Sequence, residues 1–213
     1  MNEDQLKYNQ FVQTTAPTQQ EMLSGGFSIS PGEKHFFDTY AKTSVLDIGC
    51  GTGNRTLAEF NRRNLKATGI EKFENVINSS NFKSQIIRLD IADTHFLEHP
   101  CFLEHYDIAV CVGGVICGFV DPEVRRQAWL NLSRLLISKC TDYLLVDTIT
   151  NFTEFNTRQT GEVKAFYSVP PQYFYSKAEM YDIFESNQLV VVEEITNVVS
   201  NIGITYFLLK FKY

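Results

Sequence analysis

The stretch Val45-Leu46-Asp47-Ile48-Gly49-Cys50-Gly51-Thr52-Gly53-Asn54 decides the fold of this chain. Apolar residues lead into three glycines at alternate positions, and residues 55–60 then have the composition of a helix. Glycine is favoured where the backbone takes a positive φ or passes close to a ligand. The spacing is G-x-G-x-G, whereas the dinucleotide-binding turn is G-x-G-x-x-G. The stretch therefore predicts a buried strand, a tight ligand-binding turn and a helix start, with a ligand other than a nicotinamide dinucleotide.

Strand and helix patterns alternate along the rest of the chain. Strands are predicted at residues 44–49, 66–71, 85–89, 107–112, 143–147, 189–195 and 205–211. Helices are predicted at residues 31–40, 54–64, 73–80, 122–138 and 177–186, and Ser30, Asp121 and Ser176 are the expected caps. This alternation is typical of an α/β protein with a parallel, doubly wound sheet. No helix separates the last two strands, so the last strand is expected to run antiparallel.

The composition restricts the class of protein. The chain has 213 residues, of which 44% are hydrophobic, and we predict a single domain at residues 30–213. The net charge is −6 and the largest basic clusters are Arg62-Arg63 and Arg125-Arg126, which argues against a nucleic-acid partner. The five cysteines form no C-x-x-C pair. The first residues do not resemble a signal peptide, and the apolar run 108–120 is too short to span a membrane. We expect a cytoplasmic protein with reduced thiols and no membrane association.

Residues 1–29 precede the predicted domain and are polar, with many Gln and Thr residues. A short helix is expected at residues 5–12, followed by a loop through Gly25-Gly26. Two interpretations stay open for this segment, namely a flexible terminus and a lid over the ligand.

Acidic residues end the second and third predicted strands. Glu71 lies 18 residues after Gly53, and Asp90-Ile91 closes the third strand. The carboxyl ends of neighbouring parallel strands meet at one edge of the sheet, where ligands bind. There Glu71 can accept hydrogen bonds from ribose hydroxyls, and Asp90 can accept one from an adenine amino group while the next amide donates to the ring. The three features together predict a nucleoside-binding site.

These motifs resemble those of the class I S-adenosylmethionine-dependent methyltransferases. Residues 45–54 are similar to the first motif of that family, Glu71 and Asp90-Ile91 to its second and third motifs, and residues 106–110 to its fourth strand. Residues 173–180 resemble the approach to its last helix, so the resemblance covers about residues 30–213. It implies a seven-stranded, Rossmann-like sheet that is mostly parallel, S-adenosyl-L-methionine as cofactor and S-adenosyl-L-homocysteine as product. It also implies that Asp47 and the glycine turn hold the methionine end, and that Val112, Gly113 and Gly114 face the cofactor and its methyl group.

The chemistry of that cofactor agrees with the residues. It carries no phosphate, so no Lys or Ser has to follow the glycines, and its sulfonium suits a dry pocket with aromatic walls. The cofactor-binding residues predicted in this way are Asp47, Gly49, Cys50, Gly51, Gly53, Asn54, Glu71, Lys72, Asp90, Ile91, Val112 and Gly113. The chain departs from the family at Ser186-Asn187-Gln188, where Ala-Gly-Phe is common, and at Gly113-Gly114, where many members carry bulky or polar residues. No catalytic residue is therefore predicted.

Residues 151–175 form a long aromatic stretch between the fifth strand and the last helix. They either line an acceptor pocket, with Phe166, Tyr167 and Gly114 as the candidate residues, or cover the edge of the sheet.

Other candidate chemistry is weaker. Four possible metal ligands are close in sequence, namely His95, His99, Cys101 and His105, but Pro100 interrupts the helix that would align them. A magnesium-dependent site would need an Asp where Gly113 stands. No metal is therefore predicted. His35 is a possible base on the first helix of the domain, although a structural role is the simpler interpretation.

These observations predict methyl transfer from S-adenosylmethionine to a small-molecule O or N acceptor. The alternatives are an inactive S-adenosylmethionine-binding module and a protein methyltransferase. The signature of N6-adenine methyltransferases, an Asn or Asp before Pro-Pro and an aromatic residue, is absent, since Val169-Pro170-Pro171-Gln172 lacks the leading residue. The acceptor and the oligomeric state are not predicted.

Overall fold

The computed structural model describes residues 1–16, 28–152, 163–166, 169–199 and 202–212. The α-helices in these residues are α1 (Glu3–Thr14), α2 (Pro31–Tyr40), α3 (Thr56–Arg62), α4 (Glu74–Asn78), α5 (Pro122–Ile137) and α6 (Lys177–Ser186). The strands are β1 (Ser44–Ile48), β2 (Lys66–Glu71), β3 (Ile86–Arg88), β4 (Tyr106–Cys111), β5 (Thr141–Phe152), β6 (Val163–Phe166), β7 (Val169–Tyr173), β8 (Leu189–Val199) and β9 (Ile202–Phe211).

Seven strands form the main sheet in the order β3-β2-β1-β4-β5-β9-β8. Strands β1 to β5 pair in parallel, whereas β9 runs antiparallel to both β5 and β8. The chain leaves β1 towards β2 and β3 on one side and later returns to β4 on the other, so the strand order reverses between β1 and β4. This sheet confirms the predicted doubly wound architecture with an antiparallel last strand.

The helix starts follow from local capping. At α2, Ser30 Oγ accepts a hydrogen bond from the Glu33 amide (3.1 Å) and the Ser30 amide donates to the Glu33 carboxylate (2.8 Å), which is the predicted capping box. At α5, one oxygen of Asp121 accepts from two first-turn amides, and Pro122 occupies the first helical position. These caps fix where the chain leaves the sheet edge and turns back over it.

Both faces of the sheet are covered. Every residue of β1 is buried, as expected for a central strand between two helical layers. On one face the core includes Trp129 and Leu132 of α5, and on the other face it includes Phe36 and Phe37 of α2. In the part of the chain that the structure describes, no helix is long and apolar enough to cross a membrane.

The structure differs from the predicted elements mainly after β4. Strand β5 continues to Phe152, well beyond the predicted end, because β9 pairs with it along this length with a bulge between Ile149 and Asn151. Strands β6 and β7 form a separate two-stranded sheet that was not predicted. Strand β7 contains Pro170 and Pro171, and proline is tolerated there because each strand of a two-stranded sheet has a free edge.

Candidate functional site

A cleft opens where the carboxyl ends of β1, β2, β3 and β4 meet. The empty space within it, open solvent at the mouth included, is about 1170 Å³. The cleft is lined by Tyr8, Phe11, Val12, Ile48, Gly49, Gly51, Thr52, Ile70, Glu71, Lys72, Phe73, Val76, Leu89, Asp90, Ile91, Gly113, Gly114, Val115, Gly118, Phe119 and Gln172.

Two glycines of the turn after β1 have different roles. Gly51 has a φ of +58°, and no heavy atom lies within 4 Å of the position that a Cβ would occupy. Gly53 has a φ of +74°, but a Cβ there would lie 2.6 Å from Leu57 Cδ1. Gly51 therefore leaves open space at the cleft, whereas Gly53 allows the turn to pack onto α3.

Glu71 presents a carboxylate that the backbone holds in place. Its Oε1 accepts hydrogen bonds from the amides of Lys72 (2.8 Å) and Phe73 (2.9 Å), and its Oε2 accepts from the Gly51 amide at 3.2 Å. Burial raises the pKa of Glu71, and the three amides oppose that shift by stabilising the charged form. A carboxylate has about four acceptor positions, so Oε2 retains capacity for a ligand hydroxyl.

Asp90 lies beside Glu71 at the end of β3. Its Oδ1 accepts from the Ala92 amide (2.9 Å), and its Oδ2 lies 3.5 Å from Lys72 Nζ. The buried Asn131 side chain fixes this loop by donating to the carbonyl oxygen of Ile91 at 2.7 Å. The Asp90 carboxylate is thus oriented towards the cleft by neighbours that do not fill it.

The loop after β4 is anchored from below. Gly113 and Gly114 have φ values of +86° and +75°, and their amides donate to the two oxygens of Asp147 at 2.8 and 3.0 Å. Burial raises the pKa of Asp147 to about 6, although the two amides favour its charged form. The paired glycines and Asp147 hold an open, side-chain-free floor at this side of the cleft.

Further charged groups lie behind the lining. Thr56 Oγ1 donates to Asp47, which is fully enclosed, and burial raises the pKa of Asp47 to about 7. Arg55, which is partly exposed, forms an ion pair with the buried Glu33, and its Nη2 would lie 2.8 Å from a Cβ on Gly113. Asp47 therefore supports the turn through Thr56 and does not itself line the cleft.

Helix α1 covers the cleft and supplies Tyr8, Phe11 and Val12 to its lining. The side chain of Gln5, which is 1% exposed, donates to the Gly118 carbonyl (3.2 Å) and accepts from the Val120 amide (3.1 Å). At the other end of the helix, Asn75 Nδ2 donates to the Val12 carbonyl at 3.0 Å. The predicted amino-terminal helix is confirmed, and it crosses the cleft from the β4 side to the β2 side.

The structure brings most of the predicted site residues together. Those that line the cleft are Gly49, Gly51, Glu71, Lys72, Asp90, Ile91, Gly113 and Gly114. Those that do not line it are Asp47, Cys50, Gly53, Asn54 and Val112. The Cys50 thiol packs against Gly69, and Val112 is buried beneath the loop. Tyr167 and the side chain of Phe166 lie outside the described residues.

The sequence analysis missed the residues from α1 and β7. Tyr8, Phe11 and Val12 follow i, i+3, i+4 spacing, which is a signal for one helical face, but the other residues of the helix are polar apart from the exposed Leu6. Gln172 carries no local signal, because it reaches the cleft only through the packing of β7 beside α1.

The histidines lie elsewhere. His35 Nε2 is 2.7 Å from Glu193 on the surface, outside the cleft lining, so the possible base on α2 is not at the site. His95 pairs with Glu98 and His105 with Asp142, both exposed. Within the described ranges, no three His, Cys, Asp or Glu side chains are grouped so that they could hold a metal ion.

Comparison with solved structures shows the fold of the S-adenosylmethionine-dependent methyltransferases. A methyltransferase from Methanosarcina mazei matches with a TM-score of 0.64 and 12% identity, over 87% of this chain and 100% of that chain. Magnesium protoporphyrin IX methyltransferase from Synechocystis, solved with bound S-adenosylmethionine, matches with a TM-score of 0.65 and 12% identity, over 100% and 99% of the two chains.

A third solved structure gives a higher TM-score. The 1,6-didemethyltoxoflavin-N1-methyltransferase from Burkholderia thailandensis, solved with that compound and S-adenosylhomocysteine, matches with a TM-score of 0.73 and 11% identity, over 98% of this chain and 88% of that chain. No protein-family model matches the chain, and no curated protein matches it in sequence. The fold class is therefore that of class I methyltransferases, with little sequence identity to these structures.

Proposed function

We propose that this protein is an S-adenosylmethionine-dependent methyltransferase that acts on a small-molecule O or N acceptor. The observation that carries the proposal is the meeting of Gly51, Glu71 and Asp90 in one cleft, in a fold shared with enzymes of this class. Two of the matched structures were solved with S-adenosylmethionine or S-adenosylhomocysteine.

The cleft suggests how the cofactor binds. Glu71 Oε2 would accept a hydrogen bond from one ribose hydroxyl. The second ribose hydroxyl would compete with the Gly51 amide as a donor to the same oxygen. Asp90 would accept from the adenine amino group while the Ile91 amide donates to the ring, and the Lys72 ammonium would turn aside from Asp90. The sulfonium end would then lie over Gly49 and Gly113, because β1 and β4 follow β2 in the sheet.

The residues at the site are suited to an in-line displacement that depends on positioning. The sulfonium charge is lost as the methyl group leaves, so catalysis needs the acceptor aligned behind the methyl carbon and water kept out.

Within this function, α1 is proposed to act as a lid. It covers the cleft with Tyr8, Phe11 and Val12, and the Gln5 side chain fastens it to the loop after β4. Cofactor exchange would require these contacts to open, which supports the lid interpretation for the described residues 1–16.

Calorimetry with S-adenosylmethionine and S-adenosylhomocysteine tests the proposal, followed by transfer of a labelled methyl group into a fractionated cell extract. We expect both compounds to bind and the label to enter a small molecule. Binding of both without transfer would indicate an inactive binding module, and label in a protein band would indicate a protein methyltransferase. Absence of binding would contradict the proposal.

A further inference from the structure

The two ends of the cleft differ in charge. The cofactor end is formed by Gly49, Gly51, Glu71 and Asp90, and the acceptor end by Tyr8, Gly114, Gly118 and Gln172. Building on the proposed methyltransferase function, we propose that the acceptor end takes an uncharged, flat molecule whose attacking atom is a nitrogen with a free lone pair at neutral pH.

The order of strands locates the acceptor end. A nucleoside held by β2 and β3 directs its reactive end across β1 towards β4, since the sheet order is β3-β2-β1-β4. The lining residues beyond that point come from the loop after β4, from α1 and from β7. The acceptor must approach the methyl group from this side, because an in-line displacement needs it opposite the departing sulfur.

The floor of the acceptor end is made of backbone. A Cβ on Gly114 would meet no heavy atom within 4 Å, so open space lies above this residue. A Cβ on Gly118 would lie 2.7 Å from the Tyr8 ring, so glycine here allows the ring to close onto the loop. A glycine floor beside an aromatic wall suits a flat molecule that packs face or edge against the ring.

No charged side chain reaches the acceptor end among the described residues. The ionisable residues of the cleft lining are Tyr8, Glu71, Lys72 and Asp90, and the last three lie at the ends of β2 and β3. The charged groups just outside the lining already have partners. Arg55 is paired with the buried Glu33, and the Asp147 carboxylate accepts from the Gly113 and Gly114 amides. The Arg125 guanidinium donates to the Phe119 carbonyl and lies over the Tyr173 ring. An ionised acceptor would lose its hydration without meeting an unpaired counter-charge among the described residues, and this cost favours a neutral acceptor.

The described residues that line the acceptor end include no general base. Burial raises the pKa of the Tyr8 hydroxyl, and the Glu71 charge raises it further, so this group stays protonated and serves as a hydrogen-bond partner. An alcohol acceptor would need a base to remove its proton, whereas a neutral nitrogen does not. Its lone pair forms the N–CH₃ bond as the S–CH₃ bond breaks, the bonding electrons stay on sulfur, and the positive charge passes to nitrogen. Any proton on that nitrogen then leaves to water.

Three probes of matched size test the inference, namely benzimidazole, benzoate and benzylammonium, titrated near pH 7.5 into protein saturated with S-adenosylhomocysteine. We expect benzimidazole to bind about tenfold more tightly than either ion and to accept a methyl group from S-adenosylmethionine. Equal or tighter binding of an ion, or no binding of benzimidazole while S-adenosylhomocysteine binds, would overturn the inference and leave the proposed function intact. Failure to bind S-adenosylhomocysteine would overturn both.

A charge placed at the acceptor end sharpens the test. In protein saturated with S-adenosylhomocysteine, Gln172→Glu should raise the affinity for benzylammonium about tenfold relative to benzimidazole. The neutral control Gln172→Met should weaken the three probes alike and keep their order. If Gln172→Glu leaves the order of the probes unchanged, the acceptor end is not where we infer it.

Discussion

The two ends of the cleft are built in different ways. The cofactor end comes from the ends of three neighbouring strands, β1, β2 and β3, and all its residues lie between Gly49 and Ile91. The acceptor end combines residues 8, 114, 118 and 172, which only tertiary packing brings together. Carboxylates mark the first end, whereas the second has glycines, an amide and a phenol.

This difference separates two structural requirements. The cofactor end depends on the sheet itself, because parallel strands deliver their final residues to a common edge. The acceptor end depends on segments that pack over that edge. Binding sites on a shared fold differ mainly in such segments. Substitutions at the first end should therefore abolish cofactor binding, and those at the second should change its kinetics or the choice of acceptor.

The largest effect is expected from Gly51→Val. Its side chain would project into the open space of the cleft and block the cofactor, while the positive φ of +58° adds strain of about 1–2 kcal/mol. We expect loss of S-adenosylhomocysteine binding by calorimetry, with a folded protein by circular dichroism. In Gly53→Val the side chain would meet Leu57, so that variant should lose much more thermal stability. Normal binding in Gly51→Val would show that the ligand does not approach this turn.

A smaller but clear loss is expected from Glu71→Gln. If the glutamine oxygen keeps the Lys72 and Phe73 amides, an NH2 group replaces Oε2 and can accept from neither the Gly51 amide nor a ligand hydroxyl. Binding of S-adenosylhomocysteine should therefore weaken by about 1–3 kcal/mol, or roughly fivefold to 150-fold. Glu74→Gln is the control, since Glu74 is an exposed acid of the same region paired with Arg88 at 2.8 Å. If both variants bind alike, Glu71 does not hold the ribose.

Gln5→Ala tests the lid. The substitution removes the side chain that ties α1 to Gly118, Val120 and Asp121, so S-adenosylhomocysteine should dissociate about tenfold faster in stopped-flow experiments. Gln10→Ala changes the same residue type at an exposed position of α1 and should leave the rate unchanged. Equal dissociation rates for the two variants would argue that α1 does not gate the cleft.

The smallest expected effect is on the pH dependence of the protein's stability. Burial raises the pKa of Asp47 to about 7 and of Asp147 to about 6, so the folded protein holds protons that the unfolded chain releases above its ordinary value of 3.8. The stability from these groups is therefore lost as pH rises through about 7. Acids with lowered pKa values, such as Glu59 with a pKa of about 2, make the folded protein more stable as pH rises, but only at lower pH.

We accordingly expect the melting temperature to fall by a few degrees between about pH 5 and 7.5. Asp147→Asn should flatten that slope, whereas Asp182→Asn, at an exposed position of α6, should not. A slope that is the same in both variants would contradict the assignment to Asp147.

The sequence predicts the fold and the meeting of the strand-end residues in one cleft, for physical reasons. Strand β2 was predicted with its observed bounds as a short strand that ends in an acid, and α2 and α5 begin where Ser30 and Asp121 cap them. Gly49, Gly51, Glu71 and Asp90 were predicted because parallel strands deliver their ends to one edge. The extension of β5 and the β6–β7 pair depend on long-range pairing that local patterns do not encode.

The acceptor end was largely beyond sequence reasoning. Helix α1 was predicted, but the mostly polar segment Glu3–Thr14 gives little indication of which face packs against the loop after β4. Gln5 and Gln172 look like solvent-exposed residues in sequence, although the structure buries one and places the other in the cleft.

A crystal structure with S-adenosylhomocysteine tests the central claim most directly. The account predicts ribose hydroxyls on Glu71, the adenine at Asp90 and Ile91, and the sulfur next to Gly113. Density for the nucleoside at another place, or a cleft that stays closed to it while the compound binds elsewhere, would contradict the account.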